Sequence, residues 1–189
     1  MSSIRYPAVG LAISVMALAC LSNTPVPAAA PPSSSVAPSS WVPKPEQTVA
    51  EEALQVYGRY WQLSEQAEAS PGGQDWRRSF AHVMADPALT TFVDELANLA
   101  SIPARSTGEY RRSPRVRWVS MIEPARVVIV DCLDASVEHL VSDRPSEAGK
   151  NLDNPAQPRR YQLEAEVVRY SAPYHWLVQT IRPCREEPC

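Results

Sequence analysis

The chain has 189 residues, and its 18 basic and 21 acidic side chains give a formal net charge of −3. Nucleic-acid binding needs a concentrated patch of Lys and Arg to displace counterions from phosphates, so this balance predicts no nucleic-acid partner. The chain contains only six glycines and has no glycine-rich phosphate loop, Cys-x-x-Cys or His-x-x-x-His. We therefore expect no nucleotide, metal or other cofactor.

The first twenty residues have the pattern of a secretory signal peptide. Arg5 supplies a positive charge, an apolar run from Ala8 to Ala19 follows, and Cys20 comes next. A cysteine directly after small residues resembles the lipoprotein box of bacteria, in which the thiol is lipidated before cleavage. The resemblance implies a signal peptide over residues 1–19 and a lipid on Cys20. It would place the protein on the extracytoplasmic face of the cell membrane, with the lipid anchor in the bilayer.

Two other interpretations of this segment are weaker. A retained transmembrane helix needs about 20 apolar residues, more than this run contains. A cleaved signal without a lipid remains an alternative, because Ala17-Leu18-Ala19 also fits the small-x-small rule of cleavage sites.

Residues 20–45 predict a disordered linker. They are rich in proline, serine and alanine, with one charge at Lys44. Such a segment buries too little apolar surface to offset its ordering entropy, and its prolines keep it extended. Residues 46–189 then form one domain, which is long enough for a proper core.

The first part of this domain predicts three helices. Thr48 and Glu51 have the spacing of a capping box, and apolar residues at helical spacing continue to about Ala69. Asp75 can cap a short second helix. Asp86-Pro87 predicts the start of a third helix, with aspartate at the N-cap and proline at the first helical position, and Ser101-Ile102-Pro103 predicts its end.

The period then changes to that of strands. Residues 115–119 partly alternate, residues 126–133 form a β-branched run typical of a central strand, and residues 136–142 predict a shorter strand. The polar segment 143–158 predicts a loop. Residues 161–170 and 174–182 predict two long strands joined by a tight turn.

Helices followed by antiparallel strands predict an α+β domain, with three helices packed on one face of a curved sheet. This order resembles the cone-shaped nuclear transport factor 2-like superfamily, and more narrowly secreted actinobacterial lipoproteins built on that fold. The resemblance rests on Ala50 to Trp61, on Val130 to Asp134 and on Trp176 to Val178. It covers most of residues 46–189.

Enzymes on this fold use an aspartate or a histidine–aspartate pair inside the cone, so the resemblance implies a short list of weak catalytic candidates: Asp131, Asp134, His82, His139 and His175. Asp131 is the sharpest, because strand alternation places it on one face with Val127, Ile129 and Leu133. If that face lines the cone, burial raises the pKa of this carboxyl and suits it to proton transfer. We favour the alternative that Asp131 ends the strand and bonds a turn or an arginine.

The three histidines form no recognisable constellation in the sequence. The aromatic cluster of Tyr170, Tyr174, His175 and Trp176 could line a ligand mouth or a partner surface, and core packing explains it equally well.

The cysteines predict a disulfide, because a secreted chain lies in an oxidising space. With Cys20 lipidated, three remain. Cys132 closes one strand and Cys184 follows the last strand, so we expect a Cys132–Cys184 bridge, with Cys132–Cys189 as the alternative.

Two functions stay open. We favour a non-enzymatic binding or interaction module of the cell envelope, whose partner is an envelope protein or a small apolar ligand. The alternative is a ligand carrier or an acid/base enzyme of the dehydratase or isomerase kind around Asp131. An interior filled by Trp61, Phe92 and Trp118 would favour the first, and an enclosed cavity containing Asp131 and a histidine would favour the second.

Overall fold

The computed structural model describes residues 44–171 and 175–189. The predicted signal peptide, Cys20 and the linker up to residue 43 lie outside the described residues. Three helices precede six strands: α1 (Lys44–Ala69), α2 (Trp76–Phe80), α3 (Ala88–Ser101), β1 (Ala104–Thr107), β2 (Arg111–Ser120), β3 (Arg126–Asp134), β4 (His139–Ser142), β5 (Arg160–Arg169) and β6 (Trp176–Cys184). None of the described helices is long and apolar enough to cross a membrane.

Helix α1 begins at Lys44, two residues before the predicted domain boundary. Thr48 and Glu51 therefore lie inside the helix, and the predicted capping box is wrong. The predicted apolar face is confirmed, because its members are all buried: Val49, Ala53, Val56, Tyr57, Tyr60, Trp61 and Ser64. The helix ends at Ala69, before the turn formed by residues 70–73.

The two shorter helices begin at the predicted aspartates, with one difference. Asp75 caps α2, since its carboxylate accepts a hydrogen bond from the Arg78 N–H at 3.4 Å. In α3, Pro87 occupies the N-cap position rather than the first helical position. The Asp86 carboxylate nevertheless accepts from the Thr90 N–H at 3.1 Å, which satisfies one of the orphan amides of the first turn.

The main sheet has four antiparallel strands in the order β2-β3-β5-β6. Its central strands are β3 and β5, in agreement with the β-branched pattern of residues 126–133. Strand β2 covers residues 111–120 and is longer than the predicted 115–119. The turn between β5 and β6 includes residues 172–174, which lie outside the described part of the chain.

A second, two-stranded sheet pairs β1 with β4. Strand β1 was not expected, because its polar sequence Ala-Arg-Ser-Thr has no apolar alternation of its own. Gly108 follows it with φ +87°, and a Cβ atom there would lie 2.0 Å from the Val137 carbonyl oxygen. Only glycine accommodates both the backbone angle and this contact between the β1–β2 and β3–β4 connections.

The helices cover one face of the main sheet, and the space between is filled by side chains. Residues from α1, α2, α3 and the main sheet form one buried apolar cluster. Aromatic rings dominate its helical side: the Phe80 and Phe92 centroids are 4.8 Å apart, and those of Tyr60 and Phe92 are 5.8 Å apart. The chain is therefore an α+β domain with helices packed against antiparallel sheets, as predicted.

Trp118 is not part of this core, contrary to expectation. It is 51% exposed, because the pairing of β2 with β3 shifts between Val116 and Trp118. A bulge inserts one extra residue and reverses which side chains face the helices. Val119 takes the core-facing place opposite Val127, and Trp118 pairs with Val128 on the outer face.

Candidate functional site

Asp131 lies on the helix-facing side of β3 and is fully buried, at 0% exposure. Its Oδ2 accepts a hydrogen bond from the Tyr57 hydroxyl at 3.0 Å, and its Oδ1 accepts one from the Ser113 N–H at 2.6 Å. The prediction that it shares a buried face with Val127, Ile129 and Leu133 is confirmed. The favoured interpretation as a strand-end residue is wrong, because its partners lie on α1 and β2.

Burial raises the pKa of the Asp131 carboxyl, while the two hydrogen bonds and the charge of Arg112 lower it. The net direction is upward, as the pocket hypothesis predicted. Both carboxylate oxygens nevertheless accept hydrogen bonds from the protein itself. Asp131 also lines none of the three clefts identified among residues 44–171 and 175–189. The group therefore acts as a buried link between α1, β2 and β3.

The other catalytic candidates are dispersed. Asp134 bonds the Ser136 N–H at 2.9 Å, which confirms its prediction as a turn residue. His139 is on β4, where its Nδ1 lies 2.7 Å from a carboxylate oxygen of Asp153. His82 and His175 are exposed. No histidine therefore joins Asp131 in a common cavity among the clefts described.

A different grouping brings His82 and His175 together. They line a cleft of about 550 Å³, which we call the hairpin cleft, because it lies where the β5–β6 hairpin meets α1 and the segment after α2. Its polar and aromatic lining is Glu52, Gln55, Arg59, His82, Arg169, His175 and Trp176. A second cleft, of about 630 Å³, shares Arg169 and His175 and adds Tyr170. The aromatic segment singled out in the sequence therefore borders two clefts, although Tyr174 lies outside the described residues.

Three side chains organise one wall of the hairpin cleft. Trp176 is buried, and its indole N–H donates to a carboxylate oxygen of Glu52 at 2.8 Å. The Arg169 guanidinium lies 5.7 Å from the centre of the Trp176 ring, in a cation–π contact, and also forms an ion pair with Glu123. Helix α1 and strands β5 and β6 thus fix this wall by directional contacts.

A second polar cluster joins α1 to the small sheet. The Tyr110 hydroxyl donates to Glu68 at 3.2 Å. Glu138 is buried, accepts a hydrogen bond from Ser106, and lies 3.6 Å from the Arg159 guanidinium. Burial, and then the charge of Glu138, raise the pKa of Glu68 to about 8. Sequence analysis missed this cluster because its members are far apart along the chain and match no motif.

The disulfide joins Cys132 to Cys189 and not to Cys184, so the favoured pairing is wrong and the alternative is right. Cys132 is opposite Gln162 of β5, and Gln162 is opposite Cys184 of β6. Since neighbouring strands are about 4.8 Å apart, Cys132 and Cys184 are separated by two strand spacings, beyond the reach of a disulfide. The tail turns after β6 and crosses the end of β5, where the Gln162 N–H donates to the Glu187 carbonyl. This brings the Cα atom of Cys189 to 5.7 Å from that of Cys132.

No group of three or more potential ligands that could hold a metal ion occurs among the described residues.

No protein-family model matches the chain, and no curated protein matches it. Among solved structures, the intermembrane-space region of the chloroplast protein ARC6 is similar, with a TM-score of 0.52 and 15% sequence identity. The match covers 71% of this chain and 95% of that one. At this identity the similarity concerns the fold alone, and function has to be argued from the site.

Proposed function

We propose that this protein is a lipid-anchored lipoprotein of the extracytoplasmic membrane face, whose domain is a non-enzymatic binding module on a nuclear transport factor 2-like cone. Its partner is an envelope protein or a small ligand. Lipidation of Cys20 and the linker that precedes α1 hold the domain at the membrane but away from its surface. The sequence pattern of residues 1–20 supports the anchor.

The observation that carries the binding function is the filled interior. The cone of an enzyme on this fold needs space around its acid or base, whereas here Tyr57, Tyr60, Trp61, Phe80 and Phe92 are all buried together. Binding then takes place at a surface cleft, and the hairpin cleft offers polar, charged and aromatic groups together.

The alternative is a ligand-carrying or acid/base protein that uses Asp131. One observation favours it: burial raises the pKa of this carboxyl, a property shared by many general acids and bases. Against it, Tyr57 and Ser113 already occupy both oxygens of Asp131.

The anchor is tested by labelling cells with radioactive palmitate. We expect label on the wild-type protein, loss of label and of membrane attachment in Cys20→Ser, and digestion of the domain by protease added to intact cells. Membrane attachment of Cys20→Ser would contradict the anchor, as would a wild-type protein without label.

The binding function is tested by a photo-crosslinking amino acid in intact cells. Gln55 lines the hairpin cleft, and Gln62, exposed two turns later on α1, is the matched control. We expect a specific adduct from position 55 and none from position 62. We also expect the adduct from position 55 to form when the protein carries the substitution Asp131→Asn. Equal adducts at both positions, or none, would contradict binding at this cleft. Loss of the adduct in a folded Asp131→Asn protein would favour the alternative.

A further inference from the structure

The hairpin cleft combines cationic side chains with an aromatic wall. Arg59 enters from α1 and Arg169 from β5, while His82 and His175 contribute ring N–H groups. These residues come from four separate parts of the chain and share one cavity of about 550 Å³. The volume is within the range of sites for small organic ligands.

The two arginines differ in what they already contact. Arg169 is held by Glu123 and by the Trp176 ring. Arg59 is exposed, and within the described part of the chain no hydrogen bond, ion pair or ring contact engages its guanidinium. A guanidinium presents N–H donors in a fork that matches the two oxygens of a carboxylate or phosphate. Arg59 is therefore the cation with donors left over for a ligand.

The single carboxylate of the cleft lining, Glu52, is already used by the protein. One of its oxygens accepts the Trp176 indole N–H at 2.8 Å. Its negative charge, together with that of Glu123, which pairs with Arg169 from outside the lining, offsets the two arginines, so the cleft carries no large excess of positive charge. That balance favours a ligand with one anionic group over a strongly charged one.

We propose that the hairpin cleft binds a small organic oxyanion, a carboxylate or a phosphate ester, with its anionic oxygens on Arg59 and its apolar part against Trp176. The proposal deepens the proposed function, on which it rests, by assigning the ligand class of the binding module. Phosphate esters and carboxylates share this chemistry, and the experiment separates them.

The test uses the purified full-length protein and three probes of similar size: phenyl phosphate, benzoate and the neutral benzyl alcohol. Binding is followed by calorimetry and by the NMR signals of the indole N–H groups. We expect saturable binding of at least one anionic probe with a Kd below about 10 mM, a shift of the Trp176 signal, and no saturation with benzyl alcohol. The anion that binds with the higher affinity shows whether the cleft prefers a carboxylate or a phosphate ester.

Two substitutions should change the affinity in opposite directions. Arg59→Gln removes the donor fork and should weaken binding at least about tenfold. Glu52→Gln removes the negative charge but keeps an oxygen for the Trp176 N–H, so it should tighten binding of the same probe. Arg78→Gln, on α2 and outside the cleft lining, is the control and should leave the affinity unchanged.

The proposal is overturned if neither anion binds saturably, if benzyl alcohol binds as well as the anions, or if Glu52→Gln weakens binding as much as Arg59→Gln. These outcomes measure the affinity of the purified protein for the probes, and they depend neither on lipidation of Cys20 nor on the crosslinked adducts formed in cells. A protein that binds the probes but gives no palmitate label or crosslink would retain this site and lose the proposed function.

Discussion

At the scale of single residues, the most consequential group is the buried carboxylate of Asp131. Its two acceptor bonds, to Tyr57 and to the Ser113 N–H, connect α1 with β2 through β3. A hydrogen bond to a charged group stabilises more than a neutral one, and a buried partner left without it is costly. Asp131, which was the sharpest catalytic candidate in the sequence, therefore contributes to the stability of the fold.

We expect Asp131→Asn and Tyr57→Phe each to lower the free energy of unfolding by about 1–3 kcal/mol. Asparagine has only one oxygen and must turn its NH₂ group toward one of the two donors, while phenylalanine leaves Oδ2 without its hydroxyl partner. Urea denaturation measures both. The double variant should lose less than the sum of the single losses, because the groups share one bond. Asp94→Asn, on the exposed side of α3, is the control, and equal losses there would refute this role for Asp131.

Glu68 makes the stability depend on pH. Its pKa is raised from 4.5 to about 8 by burial first and by the charge of Glu138 second. Between these two values the folded protein holds a proton that the unfolded chain releases, so the free energy of unfolding falls as the pH rises. The linkage amounts to about 1.4 kcal/mol for each unit of pKa shift.

In Glu68→Gln the part of this fall that comes from Glu68 should be absent, because the amide stays neutral and its oxygen still accepts from Tyr110. Denaturation at pH 5 and pH 8 measures the difference, and Glu51→Gln on the exposed face of α1 controls for the loss of a charge. A wild-type protein that loses no more stability than Glu68→Gln over this interval would contradict the raised pKa of Glu68.

At the scale of elements, the C-terminal tail is fastened to the centre of the main sheet. Strand β6 has the sheet on one side and, on the other, a parallel bridge from Met84 to Val178. Beyond β6, the tail crosses the end of β5 and ends in the disulfide with Cys132. The disulfide bridge thus holds a terminal segment that has few apolar contacts of its own.

Removing this bridge should destabilise the domain. It closes a loop of 57 residues, for which the chain-entropy model gives about 4 kcal/mol as an upper guide. We expect Cys189→Ser and Cys132→Ser to cause similar losses in urea denaturation, and the double variant to lose no more than either. Peptide mapping should recover residue 132 linked to residue 189. A peptide linking residue 132 to residue 184, or additive losses in the double variant, would contradict the tail placement.

At the scale of the whole molecule, helices and main sheet share one core. The buried cluster takes residues from all three helices and from β3, β5 and β6, and the partly buried Val116 and Val119 of β2 pack against it, so neither layer has a core of its own. The outer face of the sheet is charged: Glu164 pairs with Arg117 and Arg182, and Glu166 pairs with Arg126. The described domain should therefore unfold as one unit.

Phe80 offers the test, because it is fully buried between α1 and α3. We expect Phe80→Ala to cost about 3–5 kcal/mol, and circular dichroism and tryptophan fluorescence to report one coincident transition. Leu152→Ala, in the polar loop and 39% exposed, is the control for truncation of an apolar side chain. If Phe80→Ala does not fold, Phe80→Leu gives the same comparison at smaller cost. Separate transitions for the two probes would show that helices and sheet are independent units.

Local patterns of the sequence were enough for the helices, the central strands and the α+β class. The buried face of α1 and the alternation that turns Asp131 inward follow from periods of 3.6 and 2 residues, which are properties of neighbouring residues. The signal peptide and Cys20 also rest on a local pattern, and they stay predictions.

Tertiary structure decided what depends on pairing between distant segments. One extra residue in β2 turned Trp118 outward, because register is a property of two strands and not of one. Strand β5 lies between β3 and β6 and separates Cys132 from Cys184. The disulfide partner of Cys132 is therefore Cys189, at the end of the tail that crosses β5. The hairpin cleft assembles Glu52 and Trp176 from opposite ends of the domain. The number of residues between two such positions does not predict the distance between their side chains, because that distance is set by how the helices pack on the sheet.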